Sequence, residues 1–294
     1  FFYRLPHMVL AAFITTCFVI GGVSGWYLRR GVHVPAALRM LKLSIGFAVI
    51  AVPLQMLVGD MHGLSTLKHQ PTKLAAMEGH WEAGPPGEGV PLVVFAVPNQ
   101  AEARNDYEIA IPRLGSVILT HSLDGEIPPL SAVAPEDRPP VAPVFFAFRV
   151  MVGLGVLMLL LVVCSAWAWW RGKLGSAHLL HTAWRWMAPA GFVALLSGWY
   201  VTEIGRQPWV VYGVLRTRDA VSPLITRTEV LWSLASFISV YVVIFGAGIW
   251  YLIRLLQKGP EVHESAPDSE HGLKTAARPL STADARDIGE GSAR

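Results

Sequence analysis

A handful of side chains in this sequence are of types that do chemistry away from bulk water. His7 and Met151 supply an imidazole and a thioether, both ligands for transition metals. Lys73 and Glu78 combine an ammonium that donates hydrogen bonds with a carboxylate that can accept a proton as general base. Glu203 offers an anionic oxygen just before the run Gly-Arg-Gln-Pro-Trp, which contains Arg206 and Trp209. Arg149 lies two places before Met151. Each also has an ordinary reading. His7 reads as an interfacial histidine, Met151 as packing and Arg149 as an arginine snorkelling at a helix entry. Glu203 reads as a solvated acid at a helix end, Trp209 as part of an interfacial belt, and Lys73 and Glu78 as charges on a surface helix. His178 and His181, spaced i,i+3, read as a solvated pair rather than a metal site.

The elements that must position these groups are apolar. Hydrophobic residues make up 53% of the 294 and charged residues 15%, against roughly 25% charged in a typical soluble domain. Mean hydropathy is +0.44. A soluble protein this apolar could not cover its surface with polar groups. The net charge of +3 gives no electrostatic case for nucleic acid. Cys17 and Cys164 both lie inside apolar runs, so no disulfide framework is indicated.

Uncharged runs cover 5–28, 43–59, 150–170, 186–202 and 230–253. A helix needs about 20 apolar residues to cross a bilayer, and helix is the only form that satisfies its own backbone there. The expectation is an all-α polytopic membrane protein with five transmembrane helices, at about 8–28, 41–59, 145–170, 186–202 and 230–254. Arg29, Arg30, Arg39 and Lys42 follow the first run, Arg171, Lys173 and Arg185 the third, and Arg254 and Lys258 the last. By the positive-inside rule these face the cytoplasm. Segment 60–144, where acidic residues outnumber Lys and Arg, is then a large outer loop. A short helix is expected at about 71–82, opened by Pro71. Lys73 and Glu78 are about 140° apart around such a helix and do not strictly share a face. Residues 257–294 read as a disordered cytoplasmic tail.

The residues also carry a resemblance. The run GD-x-x-G followed by QPTKLAAMEGHWE is similar to the quinol-binding loop of subunit I of cytochrome bd quinol oxidases. FAFRVMVGLG at 146–155 resembles that family's helix bearing a methionine haem ligand, and VTEIGRQPWVV at 201–211 its GRQPW signature. PHMVLAAFITTCFVIGGVSGWYLRRG resembles its fifth helix, which bears a histidine ligand, and FAVPNQAEARNDYEIAIPRLG resembles its weaker loop sequence. The resemblance runs from about residue 3 to 256.

It implies that His7 and Met151 are axial ligands of a low-spin haem b, the thioether raising its potential. It implies that Glu203 ligates a high-spin haem b, that Lys73 and Glu78 meet quinol, and that Arg149, Arg206 and Trp209 stand beside haem. A haem d, or a b-type haem in its place, would reduce oxygen. The implied partners are a second large membrane subunit, quinol, dioxygen, the lipid bilayer and a small single-span subunit. The implied setting is a bacterial inner membrane. The family's subunit has nine helices, and this sequence matches the last five, so a continuation before Phe1 is expected. The short 60–144 loop resembles the branch that includes cyanide-insensitive oxidases. Two other classes stay open on the sequence: an inactive haem- and quinol-binding fragment, and a membrane transporter with a large outer domain.

Overall fold

The structure, a computed structural model, describes residues 2–85 and 87–259. Of the expected tail at 257–294, residues 260–294 lie outside the described residues, and Gln257 and Lys258 still belong to the last helix. The chain divides into two compact units, Phe1–Gly248 and Ile249–Arg294. The described part of the second is the end of one long helix.

Helix α1 (Arg4–Arg30) contains the first uncharged run and stops at Gly31. That glycine takes a φ of 69°, and its N–H caps carbonyls of the last turn. Helix α2 (Val34–His69) opens with a proline in its first turn and carries Pro53 inside. It runs ten residues beyond the expected start of the outer loop, so Asp60 and Gly63 are helical. The reason is that the stretch after Gly59 has no proline before Pro71, and a single glycine, Gly63, is not enough to stop the helix. Helix α3 (Pro71–Glu78) follows at once. It ends at Gly79, φ 65°, rather than at 82, because the left-handed cap turns the chain away.

Strands β1 (Leu92–Asn99) and β2 (Arg104–Ile111) form an antiparallel hairpin, with Asn99 opposite Arg104 and Leu92 opposite Ile111. Helix α4 (Leu114–Thr120) closes this outer layer. Helix α5 (Val141–Trp170) carries the third run. Helices α6 (His178–Met187) and α7 (Ala190–Ile204) divide the expected fourth span. Pro189 lies between them, and its ring and missing N–H break the ladder. A second small ribbon, β3 (Trp209–Val211) with β4 (Leu215–Arg216), precedes α8 (Arg227–Lys258).

One sequence expectation is therefore corrected, and a second, the five-span count, is not borne out by helix length. The chain is mostly helical rather than all-α, because the β-branched and aromatic stretch from Leu92 pairs as a ribbon. Among the described residues four helices, not five, are long and apolar enough to cross a membrane: α1, α2, α5 and α8. Helix α7 has 15 residues, about 22 Å.

Helices α2 and α7 both pack against α1 and α5. At the end of this bundle away from the loop, Trp184 of α6 is fully buried and stacks near Phe18 of α1, ring centroids 4.8 Å apart. Its indole N–H donates to the Ser165 hydroxyl of α5 at 2.9 Å. Gly21, Gly22 and Gly25 let α6 approach α1 so closely that a Cβ at any of them would strike Trp184, Ala188 or the His181 carbonyl. His181 is itself buried, its Nε2 at 2.7 Å from the Leu174 carbonyl. It is not the solvated partner of His178 that its spacing suggested. At the loop end, Leu74, Ala75, Trp81, Ile127 and Leu130 form a second core with Val141, Val144 and Val201. This core seats α3 on the start of α5 and the end of α7.

Candidate functional site

The sequence-selected residues gather at the loop end. Glu78 ends α3 with 3% of its surface exposed. Arg149 of α5 holds it. One terminal nitrogen donates to Glu78 Oε2 at 3.0 Å and also to the Val93 carbonyl. Nε donates to Val93 O at 2.8 Å, and the other terminal nitrogen to Met77 O at 3.1 Å. Arg149 has five N–H groups, and these bonds engage all but one of them. It also lies over the Phe145 ring at 4.5 Å. Helix α3, strand β1 and helix α5 are thus tied at one guanidinium. Burial pushes the Glu78 carboxyl above the usual carboxylate range, and Arg149 opposes that shift through its charge and its hydrogen bond.

Lys73 points the other way, as the 140° spacing required. Its Nζ donates to the Thr202 carbonyl at the end of α7, at 3.3 Å. Gly205 makes room for its stem; a Cβ there would sit 3.0 Å from Lys73 Cγ. Burial pulls the Lys73 ammonium down to about 8, helped by Arg4 and Arg206 and opposed by Glu203. The neighbouring Thr72 hydroxyl meets the Tyr212 hydroxyl at 2.8 Å. The ribbon after α7 therefore clasps the start of α3.

Glu203 pairs with Arg206 at 2.5 Å. Arg206 Nε is buried with no hydrogen-bond partner. Trp209 stands over Arg216 at 5.2 Å and beside Tyr212 at 6.2 Å. It belongs to the ribbon.

His7 sits one turn into α1 and faces α2. Its Nε2 is 3.2 Å from Gln55 Nε2, and its ring centroid is 5.7 Å from that of His62. A Cβ at Gly59 would come within 3.2 Å of His7 Cε1. His7 Nδ1 and Gln55 Oε1 are buried and unpartnered. Met151 directs its sulfur at Gly198 of α7, where a Cβ would lie 3.0 Å away. Gly191 packs on Thr15 of α1, and α1 and α7 run in opposite directions. Seven residues along α7 lead to Gly198, and seven back along α1 lead to Met8, each about 10 Å. His7 and the Met151 sulfur therefore lie at a similar depth on helices bridged by α2 and α7.

These details fit a haem. His7 Nδ1 is a buried imidazole nitrogen without a partner and the Met151 thioether is given room by a glycine; both are donor types that would suit a haem iron. Among the described residues no group of three His, Cys, Asp or Glu could cage a bare ion.

Sequence reasoning passed over three side chains that build this end. Asn105 of β2 accepts the Trp81 indole N–H at 2.8 Å and donates to Gly79 O at 2.9 Å, holding the C-terminal cap of α3. No spacing rule links 105 to 79. Tyr212 was equally silent. Gln55 did carry a signal, an amide inside an uncharged membrane run.

The fold and site define a class: a bundle with helices apolar enough to cross a membrane, whose loop between α2 and α5 is tied by buried charges to helices bearing ligand-type side chains. The chain belongs to the cytochrome bd terminal oxidase subunit I family, whose description matches residues 1–260. It is 28% identical to the cytochrome bd-II ubiquinol oxidase subunit 1 of Escherichia coli (strain K12), over 92% of this chain and 65% of that protein. It is 30% identical to the cytochrome bd ubiquinol oxidase subunit 1 of Bacillus subtilis (strain 168), over 95% of this chain and 60% of that protein. The bd oxidase structure from Geobacillus thermodenitrificans matches with a TM-score of 0.75 and 27% identity, over 88% of this chain and 58% of that one. The chain thus spans about three fifths of the length of these relatives.

Proposed function

We propose that this chain is the quinol-oxidising part of an aerobic respiratory terminal oxidase in a bacterial plasma membrane. The loop end faces outside and the C-terminus the cytoplasm. Quinol docks against α3. The Lys73 ammonium, held at the end of α7, hydrogen-bonds a quinol oxygen. Glu78 accepts a quinol proton as general base, and its raised pKa suits that task. Taking the proton weakens its pair with Arg149, which favours passing the proton outward. Oxidation of one quinol to quinone releases two electrons and two protons. Protons leave on the loop side.

His7 and Met151 would hold the iron of a low-spin haem b, and Glu203, steadied by Arg206, that of a high-spin haem b. Together with a haem d or b-type haem, such groups supply one-electron transfer and oxygen reduction. Trp209 steadies the GRQPW ribbon beside Glu203. A second large subunit, and a small single-span one, complete the enzyme. The short loop resembles that of the branch that includes cyanide-insensitive oxidases, which supports assigning it there.

The observation that carries this reading is the buried bond from Glu78 to Arg149, two residues before Met151. It puts a candidate proton acceptor and a candidate haem ligand on one rigid junction. Quinol-dependent oxygen uptake by the assembled membrane enzyme tests it. Glu78→Gln is expected to lower turnover at least a hundredfold while the haem spectra persist. Full turnover in that variant would overturn the assignment.

A further inference from the structure

Arg4 opens α1 one turn before His7. It lines a polar cavity of about 280 Å3 with His62, Ser65, Thr66, His69 and Gln70. The cavity adjoins His7, because His62 stands between them with its ring 5.7 Å from the His7 ring. Part of the lining is already engaged. The Thr66 hydroxyl donates to His62 O at 2.9 Å, and His69 Nδ1 lies 2.8 Å from Ser65 O. The Arg4 guanidinium, the Ser65 hydroxyl and the Gln70 amide remain as donors for an occupant.

The charge here is one-sided. Arg4 and Arg206 both act on Lys73, with Glu203 as the opposing carboxylate. Asp60 is turned to His121 at 3.2 Å. Arg4 is an exposed cation on the wall of this polar cavity, and charge-assisted hydrogen bonds from a guanidinium fit an anionic guest. Arg149, the cation that sequence alone would place on haem carboxylates, is largely committed to Glu78, Met77 and Val93.

We propose that the cavity lined by Arg4, His62, Ser65, Thr66, His69 and Gln70 receives the carboxylates of the haem held by His7, with Arg4 as their main counter-charge. This rests on the haem assignment under Proposed function. An anionic lipid phosphate at the membrane interface shares the same chemistry, and the test separates the two sources. Removing a nearby cation disfavours the reduced, more negative state of the site.

The low-spin haem is titrated potentiometrically in the assembled enzyme, in bilayer discs of phosphatidylcholine and again with added phosphatidylglycerol. Arg4→Gln is expected to shift the reduction equilibrium about tenfold towards the oxidised form, about 59 mV for one electron. Arg4→Lys should recover most of the shift, and lipid composition should not change it. An unaltered potential in Arg4→Gln, with the low-spin spectrum intact, would overturn the proposal. So would a shift that appears only with phosphatidylglycerol, which would assign the cavity to lipid. Failure of the underlying reading looks different: Met151→Leu would then leave the low-spin spectrum unchanged whatever Arg4 does.

Discussion

The two ends of the bundle are built differently. Away from the loop, α1, α5 and α6 close on Trp184 and Phe18 through small residues; the Ser165 hydroxyl and His181 Nε2 find partners there, although His181 Nδ1 and Ser44 Oγ do not. Near the loop, His7 Nδ1, Gln55 Oε1 and Arg206 Nε are buried without partners. There Met151 meets a glycine instead of a packed side chain, and cations outnumber their acids. Unpaired buried polar atoms occur at both ends, so what sets the loop end apart is that they stand beside a thioether given room by a glycine and a buried ion pair.

The contrast can be broken at either end. Trp184→Ala should have the largest effect on stability, about 5 kcal/mol. That is the upper range for an aromatic truncation, because the variant also strands the Ser165 hydroxyl. Detergent-solubilised melting would show it, with the ligand-type residues at the other end unaffected.

Arg149→Leu should cost about 3 kcal/mol, the low end for a broken buried pair, because 19% of the arginine side chain is exposed. Limited proteolysis would show the damage as faster cleavage in 79–111, since Val93 and Glu78 lose their common tie. Glu78→Gln with Arg149→Leu should be milder than the sum of the two single variants, because neither charge is then left alone.

The smallest effect concerns Lys73. Its ammonium is lost as pH rises through about 8, so contact with a quinol oxygen weakens above that pH. The KM for quinol should rise up to about tenfold between pH 7 and 9, and Lys73→Met should flatten the profile. A profile unchanged in Lys73→Met would detach this lysine from quinol.

Much of this contrast was legible in the sequence. Uncharged runs marked α1, α2, α5 and α8, since hydrophobic length is a local property. The 140° offset of Lys73 and Glu78 correctly separated their partners, Thr202 and Arg149. The break at Pro189 was written in the sequence, yet the apolar run around it masked the shortness of α7. What could not be read were contacts across long sequence separations. Gln55 on His7, Asn105 on Gly79 and Tyr212 on Thr72 depend on how helices and ribbons dock, and no period or spacing encodes that. The commitment of Arg149 to Glu78 also waited on the fold.

The central claim is that the loop end is prepared for a haem between His7 and Met151. The reduced-minus-oxidised spectrum of the assembled enzyme, compared with Met151→Leu and His7→Ala, tests it most directly. The account predicts that each variant abolishes the six-coordinate low-spin b signal while melting stays close to that of the parent. A low-spin signal that survives unchanged in either variant would contradict it.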